Sequence, residues 1–422
     1  MKAEWGNLSL GWFDGPDLIG VGLVLTRQVP KLKNFLAYLP EGPVLPWGSG
    51  SPSTAELLPP MLAYLKSAGA FMVKMGPTVP VRSWSATTLK DAIAEGNASR
   101  LRDVAPDETY DTGLQLIEQL HAAGWTQQPD TGAGFGDVQP RYVFQIPLAG
   151  RSVDDVFAGF NQLWRRNVRK AEKLGVTVER ADRDGLAEFH PIYVETAARD
   201  GFVPRGLPYF QRMWDAMTAE DPDRIRLYLA RHDGAVLAGT TMVTVGDHAW
   251  YSYGASADVG REVRPSNAIQ WQMIKDAIDD GDSVYDLRGI SDTLDESDPL
   301  FGLIRFKLGT GGQAVEYVGE WAYALRPALA KAFSLHVDGD RWRQHLAKVR
   351  DEVRESLHNG RAGARFGDIV PVAKGNGYGF GIANLAVEST RLGLDRLAVG
   401  TPHEAAVAAA YLPGQTLVTQ PR

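Results

Sequence analysis

Cysteine is absent from this chain, so neither disulfides nor thiolate metal sites can be built. No run approaches the roughly 18 to 20 consecutive apolar residues that a membrane span needs, and the longest, "LIGVGLVL", reads as a strand. The opening "MKAEWGNLSLGW" lacks the basic-then-apolar order of a secretory leader. Together these absences fit a soluble protein in a cytoplasmic setting. A net positive charge is also lacking: a formal charge of −7 argues against a general nucleic-acid coat, yet leaves room for a local basic patch. The Walker phosphate loop, the HExxH zinc pair and the GxSxG elbow are missing too. What the chain has is bulk. Its 422 residues, 44% of them apolar, suffice for two or three cores, so two or more domains are expected.

Residues 1–145 mix short strands ("LIGVGLVLTRQV", "FLAYLP", "AFMVKM") with amphipathic helices ("STAELLPPMLAYLKSAG", "YDTGLQLIEQLHAAG"), an α/β pattern. The Gly- and Pro-rich "GWTQQPDTGAGFGDVQP" then yields to the strand-like "RYVFQIPL", which marks a boundary to a second α/β domain over 146–330. That domain opens with one helix, capped by Ser152, with Asp154 and Asp155 in its first turn and Gly175 past its end. Val156, Phe160, Leu163, Trp164, Ala171 and Leu174 form its buried stripe, while Arg165, Arg166, Arg169, Lys170 and Lys173 gather on the other side. Two readings of those cations stay open: a solvated face that complements the helix dipole, or a contact to phosphates.

Three strands follow ("IRLYLARHD", "AVLAGTTMVTVG", "HAWYSYGAS"), then a helix ("PSNAIQWQMIKDAIDDG") and a strand ("SVYDLRGI"), the order at the centre of an N-acetyltransferase-like fold. An acyl-CoA enzyme of that fold cradles pyrophosphate with backbone N–H groups of a Gly-rich loop at a helix N-terminus. Here the loop reads "REVRPSNAI", without glycine and with a proline that removes a donor, so the acyl donor is expected to be something else. In "GLIRFKLGTGG", Asp298 is a suitable N-cap with Pro299 after it, Leu300, Leu303, Ile304 and Leu308 supply a buried stripe, and Gly309 ends a short helix with Lys307 in its last turn. Position alone leaves Lys307 either a cation complementing the helix end or a catalytic group.

The segments "YLPEGPV" (38–44), "RRNVRKAEKLGVTV" (165–178), "RPSNAIQWQMIKDAI" (264–278), "VYDLRGI" (284–290) and "GLIRFKLGTGGQAVEYVGEW" (302–321) resemble the FemABX family of aminoacyl-tRNA-dependent peptidoglycan transferases over residues 1–330. The resemblance implies two tandem acetyltransferase-like (GNAT) domains of α/β (α+β) class. It also implies transfer of Gly, Ala or Ser from aminoacyl-tRNA to the stem peptide of a UDP-linked or lipid-linked precursor, with transient contact to the inner membrane face compatible. On the matching positions, Lys307 would serve the oxyanion or the terminal nucleotide and Phe306 would stack. Lys2, Arg205 and Tyr209 would hold the precursor diphosphate, Tyr253 is a further candidate, and the five cations of 165–173 would meet tRNA phosphates. The chain departs from the family in three places. It begins after the family's N-terminal strand, so the first domain is expected to be shortened. It carries Gly76 in "KMGP" where some members have an Asp, so no general base is identified, and it lacks the coiled-coil insertion.

Residues 331–361 read as a charged helical linker, and 362–422 as a partial βαβ fragment. Its "VPVAKGNGYGFG" and "LAVGTPHEA" resemble the start of the alanine racemase barrel, which would make Lys374 the pyridoxal-phosphate lysine and Tyr378 a phosphate neighbour. The segment is far shorter than the ~250 residues of a (β/α)₈ barrel, so no cofactor is expected and a fused or truncated frame accounts for it. Two alternatives remain at this level: a pyridoxal-phosphate protein led by that tail, and an acyl-CoA N-acyltransferase.

Overall fold

The computed structural model describes residues 5–29, 32–48, 53–96, 98–128, 139–200, 202–296, 298 and 301–333. In the tail it describes 372–373, 386–387, 389–390, 396–399, 408 and 416–419. Chain contacts divide into two compact units, Met1–Ala330 and Lys331–Arg422.

The first unit opens with an antiparallel meander, β1 (Trp5–Asp14), β2 (Asp17–Gln28) and β3 (Phe35–Leu39). Helix α1 (Thr54–Ser67) then leads to β4 (Ala70–Met75), parallel to β3. After β5 (Pro80–Ser85), α2 (Ala86–Glu95), β6 (Glu108–Thr109), α3 (Asp111–Ala122) and β7 (Thr126–Gln127) come β8 (Tyr142–Pro147), α4 (Val153–Gly159), α5 (Gln162–Lys173), β9 (Thr177–Ala181), α6 (Leu186–Asp200) and α7 (Leu207–Thr218). The opening scheme then recurs: a meander of β10 (Ile225–His232), β11 (Ala235–Val245) and β12 (His248–Ser256), a helix α8 (Pro265–Asp279), and β13 (Val284–Ile290) parallel to β12. The unit closes with α9 (Phe301–Leu308), β14 (Gln313–Tyr317), β15 (Trp321–Ala324) and the start of α10 (Pro327–Phe333).

Two sheets result, ordered β1-β2-β3-β4-β15-β7 and β6-β5-β14-β8-β13-β12-β11-β10-β9. The halves share strands: β15 returns to lie between β4 and β7, whereas β14 lies between β5 and β8. Glu316 on β14 fastens this exchange. Fully buried, its carboxylate accepts from Arg82 of β5 at 2.6 Å and from Arg141 beside β8 at 2.9 Å. One core under the nine-stranded sheet holds Trp84, Phe144, Tyr228 and Tyr285, and another under the six-stranded sheet holds Leu39, Leu58, Leu65 and Trp321. Each such apolar side chain contributes roughly 1.5–3 kcal/mol on burial.

The helix expected over 152–174 is two helices. Ser152 does cap the first, in a reciprocal box with Asp155. Phe160 is extended, and the Asn161 side chain accepts from Trp164 N at 2.9 Å to start the second. The break shifts the buried face: Val156, Phe160, Trp164 and Ala171 are inside as expected, but Leu163 and Leu174 are exposed and Val168 is buried instead. In the tail, β16 (Val372–Ala373), β17 (Arg396–Val399) and β18 (Thr416–Thr419) pair in parallel, as βαβ grammar requires. Lys2, Lys374 and Tyr378 lie outside the described residues, as does most of 331–361.

Candidate functional site

Strands β12 and β13 are in register only over His248–Trp250 and Val284–Asp286, and then part. On its other side β13 pairs with β8 through an irregularity between Asp286 and Gly289, where Arg288 takes a left-handed conformation with φ 65°. Beyond the parting no β12 residue pairs with Arg288 or Gly289. Their carbonyls are taken by the Lys307 ammonium, which donates to Gly289 O at 2.7 Å and Arg288 O at 3.2 Å.

Helix α9 carries this lysine inward. Phe301, Ile304 and Leu308 are buried at helical spacing, and Lys307 shares their side at 3% exposure; Leu303, expected in the stripe, is exposed. Asp298 O accepts from Phe301 N, while Pro299 and Leu300 lie outside the described residues. The glycines beyond the helix serve packing. A Cβ at Gly309 would stand 2.1 Å from Trp164 Cδ1, and Gly311, at φ 70°, runs 2.1 Å from Gly159 O by the same measure. The chain end thus slides beneath α4 and α5, with Trp164 Nε1 donating to Phe306 O at 2.9 Å.

Burial dominates the ionisation of Lys307, pushing its ammonium down to about 7 despite the opposing pull of Asp286. A cation that merely complemented a helix end would be solvated and would keep its proton; this one is dehydrated and balanced near neutrality. Glu316 offers the contrast, a buried charge held by two guanidiniums.

Of two cavities near the lysine, α9 lines one, and Lys307 itself lines neither. The larger, about 950 Å³, is lined by Arg305, Phe306, Leu163, Trp164 and Asn167, by Arg261 and Arg264 of the segment before α8, and by Ser266 of its first turn. The Phe306 ring lies 4.8 Å from Trp164. In that loop Arg264 is left-handed at φ 66°, Pro265 has no N–H, and the N–H groups of Asn267 and Ala268 both turn back to Arg264 O. Little of a backbone pyrophosphate cradle remains, and the cavity presents arginines instead. The smaller cavity, about 270 Å³, is lined by Asp286, Arg288, His248 and Trp250 from the parting strands, together with Glu41, Gly76, Gln139 and Glu320. Asp286, 1% exposed, accepts from Gln145 at 3.1 Å, His248 at 3.2 Å and Arg288 N at 2.5 Å.

The remaining candidates fall into two groups. Arg205, Tyr209 and Tyr253 converge: the Arg205 guanidinium stands 5.3 Å over the Tyr209 ring, and the two hydroxyls meet at 2.9 Å. Burial pushes the Tyr253 phenol well up. None of the three lines either cavity. Of the five cations, Arg166, Arg169, Lys170 and Lys173 are exposed on α5. Arg165 is instead turned onto the carbonyls of Ala158 and Phe160, where it closes the end of α4, and Arg169 lies 5.4 Å over Phe157. Asp286, Arg288, Glu41 and Gln139 were not marked as site residues from sequence. The available signal was "YDLRG", where an Asp and an Arg two apart share one face of an apolar strand.

Among the described residues no group of His, Asp and Glu is placed to hold a metal, and no helix is long and apolar enough to cross a membrane. The repeated meander, helix and parallel strand define a tandem acetyltransferase-like protein. The chain belongs to the FemAB family, whose model matches residues 1–235 and 228–336. Similar relatives include the lipid II:glycine glycyltransferase of Staphylococcus haemolyticus, 25% identical over 390 residues, covering 76% of this chain and 85% of that one. That of Staphylococcus epidermidis is 23% identical over 396 residues, covering 78% and 88%. The crystal structure of FemX shares the fold, with a TM-score of 0.66 at 23% identity over 78% of this chain and 90% of that one. The family match ends at residue 336, and the comparisons lend the racemase-like reading of 362–422 no support.

Proposed function

We propose that the chain transfers an amino acid from an aminoacyl-tRNA to the side-chain amine of a stem peptide on a lipid-linked peptidoglycan precursor, starting or extending the interpeptide bridge at the cytoplasmic face. The similar relatives are named as lipid II:glycine glycyltransferases, which favours glycine as donor and the lipid-linked acceptor. The observation that carries the reading is the placement of Lys307. Phe306 faces the larger, arginine-lined cavity, and the next residue holds the backbone of β13, whose Asp286 and Arg288 line the smaller one. Lys307, which itself lines neither cavity, is linked in this way to both, and a donor ester in the first and an amine in the second would meet at it.

In the reaction the neutral amine attacks the ester carbonyl, a C–N bond forms, the C–O bond to the tRNA ribose breaks, and the ribose oxygen leaves with a proton. A dehydrated lysine poised near neutrality suits this work. Protonated, it opposes the oxyanion; neutral, it can take the proton the amine sheds. The half-buried Phe306, backed by the buried Trp164, offers a stacking surface for a terminal base, and the exposed Arg166, Arg169, Lys170 and Lys173 continue on the helix that lines that cavity. The converged Arg205, Tyr209 and Tyr253 suit the precursor diphosphate. Acyl-CoA is disfavoured by the spent N–H groups at the start of α8.

The test is mass spectrometry of lipid-linked precursor incubated with the protein and a mixed pool of charged tRNA. A mass increase of one glycine, abolished by ribonuclease, is the expected result. No increase with any charged tRNA, or transfer from acetyl-CoA instead, would overturn the reading.

A further inference from the structure

The smaller cavity holds chemistry that acyl transfer alone does not use. Glu41, just after β3, and Arg288, on β13, are joined by one hydrogen bond, Arg288 Nη2 to Glu41 Oε1 at 2.7 Å, and each side chain keeps about a third of its surface exposed. Both residues hold left-handed backbone, at φ 49° and 65°, a conformation that persists in non-glycine residues only where the surroundings impose it. Beside them Gln139 Nε2 is buried without an acceptor, a costly state for an N–H donor. The amide has its place because residue 76 has no side chain: a Cβ at Gly76 would lie 2.0 Å from Gln139 Oε1. Two further carboxylates of the wall are already engaged, Asp286 by Gln145, His248 and Arg288 N, and Glu320 by the Tyr38 hydroxyl at 2.8 Å.

One guanidinium with a single displaceable partner, one unsatisfied amide donor and a cluster of carboxylates is the complement of an amino-acid head group, carboxylate and ammonium together. We infer that this cavity receives the acceptor's diamino residue by a carboxylate on the carbon that bears the reacting amine. Arg288 and Gln139 donate to that carboxylate, Glu41 is the internal counter-ion it displaces, and the amine is left toward Asp286. This rests on the proposed acyl-transfer reading, and it adds a substrate class: diamino dicarboxylic acceptors are preferred over diamino acids that carry only a hydrogen at that carbon. Arg288 also positions Lys307, since its own carbonyl is one of the two that hold the ammonium.

The test is calorimetric titration of the full chain with two synthetic stem pentapeptides that differ only in the presence of that carboxylate. The carboxylated peptide should bind at least about tenfold more tightly, as a charge-assisted pair supplies, and Arg288→Met should erase the difference. Glu41→Gln keeps the test decisive should Arg288→Met fold poorly: by removing the internal competitor it should tighten the carboxylated peptide several-fold, whereas a merely structural ion pair predicts no gain. Equal affinities in the unmutated protein, no binding of either peptide, or weaker binding in Glu41→Gln would overturn the assignment. The preference without transfer from any charged tRNA would break the functional reading and leave the cavity assignment standing. Transfer without the preference would do the reverse.

Discussion

The two halves of the first unit run the same scheme to different ends. In the first, β3 and β4 stay paired along all five residues Phe35–Leu39, with one irregularity between Phe35 and Leu36, and the sheet is continued by β15. In the second, β12 and β13 share three partners and then separate, and the freed carbonyls of β13 accept a lysine. A closed parallel pair leaves its backbone groups satisfied by the sheet; an open one must find other partners, and the group that supplies them is dehydrated and chemically primed. The first half still contributes, since the ends of its parallel strands place Glu41 and Gly76 on the smaller cavity. The difference shows how a duplicated scaffold supports one reaction: one copy opens, and the other walls it in.

The comparison can be broken first at the exchange that ties the halves together. Glu316→Gln leaves two guanidiniums without their buried carboxylate and should cost about 3 to 5 kcal/mol of stability by denaturant titration. Turnover per folded molecule should be unchanged, because the Glu316 carboxylate is spent on Arg82, Arg141 and Tyr142, none of which lines either cavity. The second expectation concerns pH. Lys307 is held near 7 in the folded state against 10.5 for the free side chain, so between those values the unfolded chain binds more protons and stability rises with pH. Relative to Lys307→Met, the unmutated protein should gain about 3 kcal/mol between pH 7 and pH 10; an equal pH profile would show a solvated lysine. Third, Gly309→Ala drives a methyl into Trp164 and should cost about 1 to 3 kcal/mol while distorting the larger cavity. The weakest expected effect is on the basic face. Reversing Arg166 and Lys170 to Glu should lower the log–log salt slope of aminoacyl-tRNA binding by about 0.7 to 0.9 per lost contact. An unchanged slope would mark the face as solvated only.

Much of this was legible in the sequence because local rules decided it. The strands from 225 to 290 and helix α8 follow from hydrophobic period and bounding glycines, and Ser152 caps as its spacing with Asp155 requires. Arg205 and Tyr209 share a helix start, so their meeting is local; the arrival of Tyr253 from β12 is not. The break at Phe160 was hidden because it depends on a remote approach, that of Gly311 to Gly159, and on an Asn cap inside an otherwise continuous periodic pattern. Lys307 could be picked out but not characterised. Its burial depends on strands β12 and β13 parting, which no spacing reports. Gln139 was invisible for the same reason: its amide fills the room left by Gly76, 63 positions earlier in the chain (139 − 76).

The central claim is that the buried lysine held on the β13 backbone is the reacting group's partner, and steady-state transfer by Lys307→Ala tests it most directly, with tRNA and precursor affinities measured on the same preparation. Turnover should fall by about 10²- to 10³-fold, as loss of one oxyanion donor does, while both affinities hold. Lys307→Arg, with a planar group too wide for the two carbonyls, should restore little of the rate. Turnover of Lys307→Ala at the unmutated rate would contradict the account and leave Lys307 a structural filler of the open strand pair.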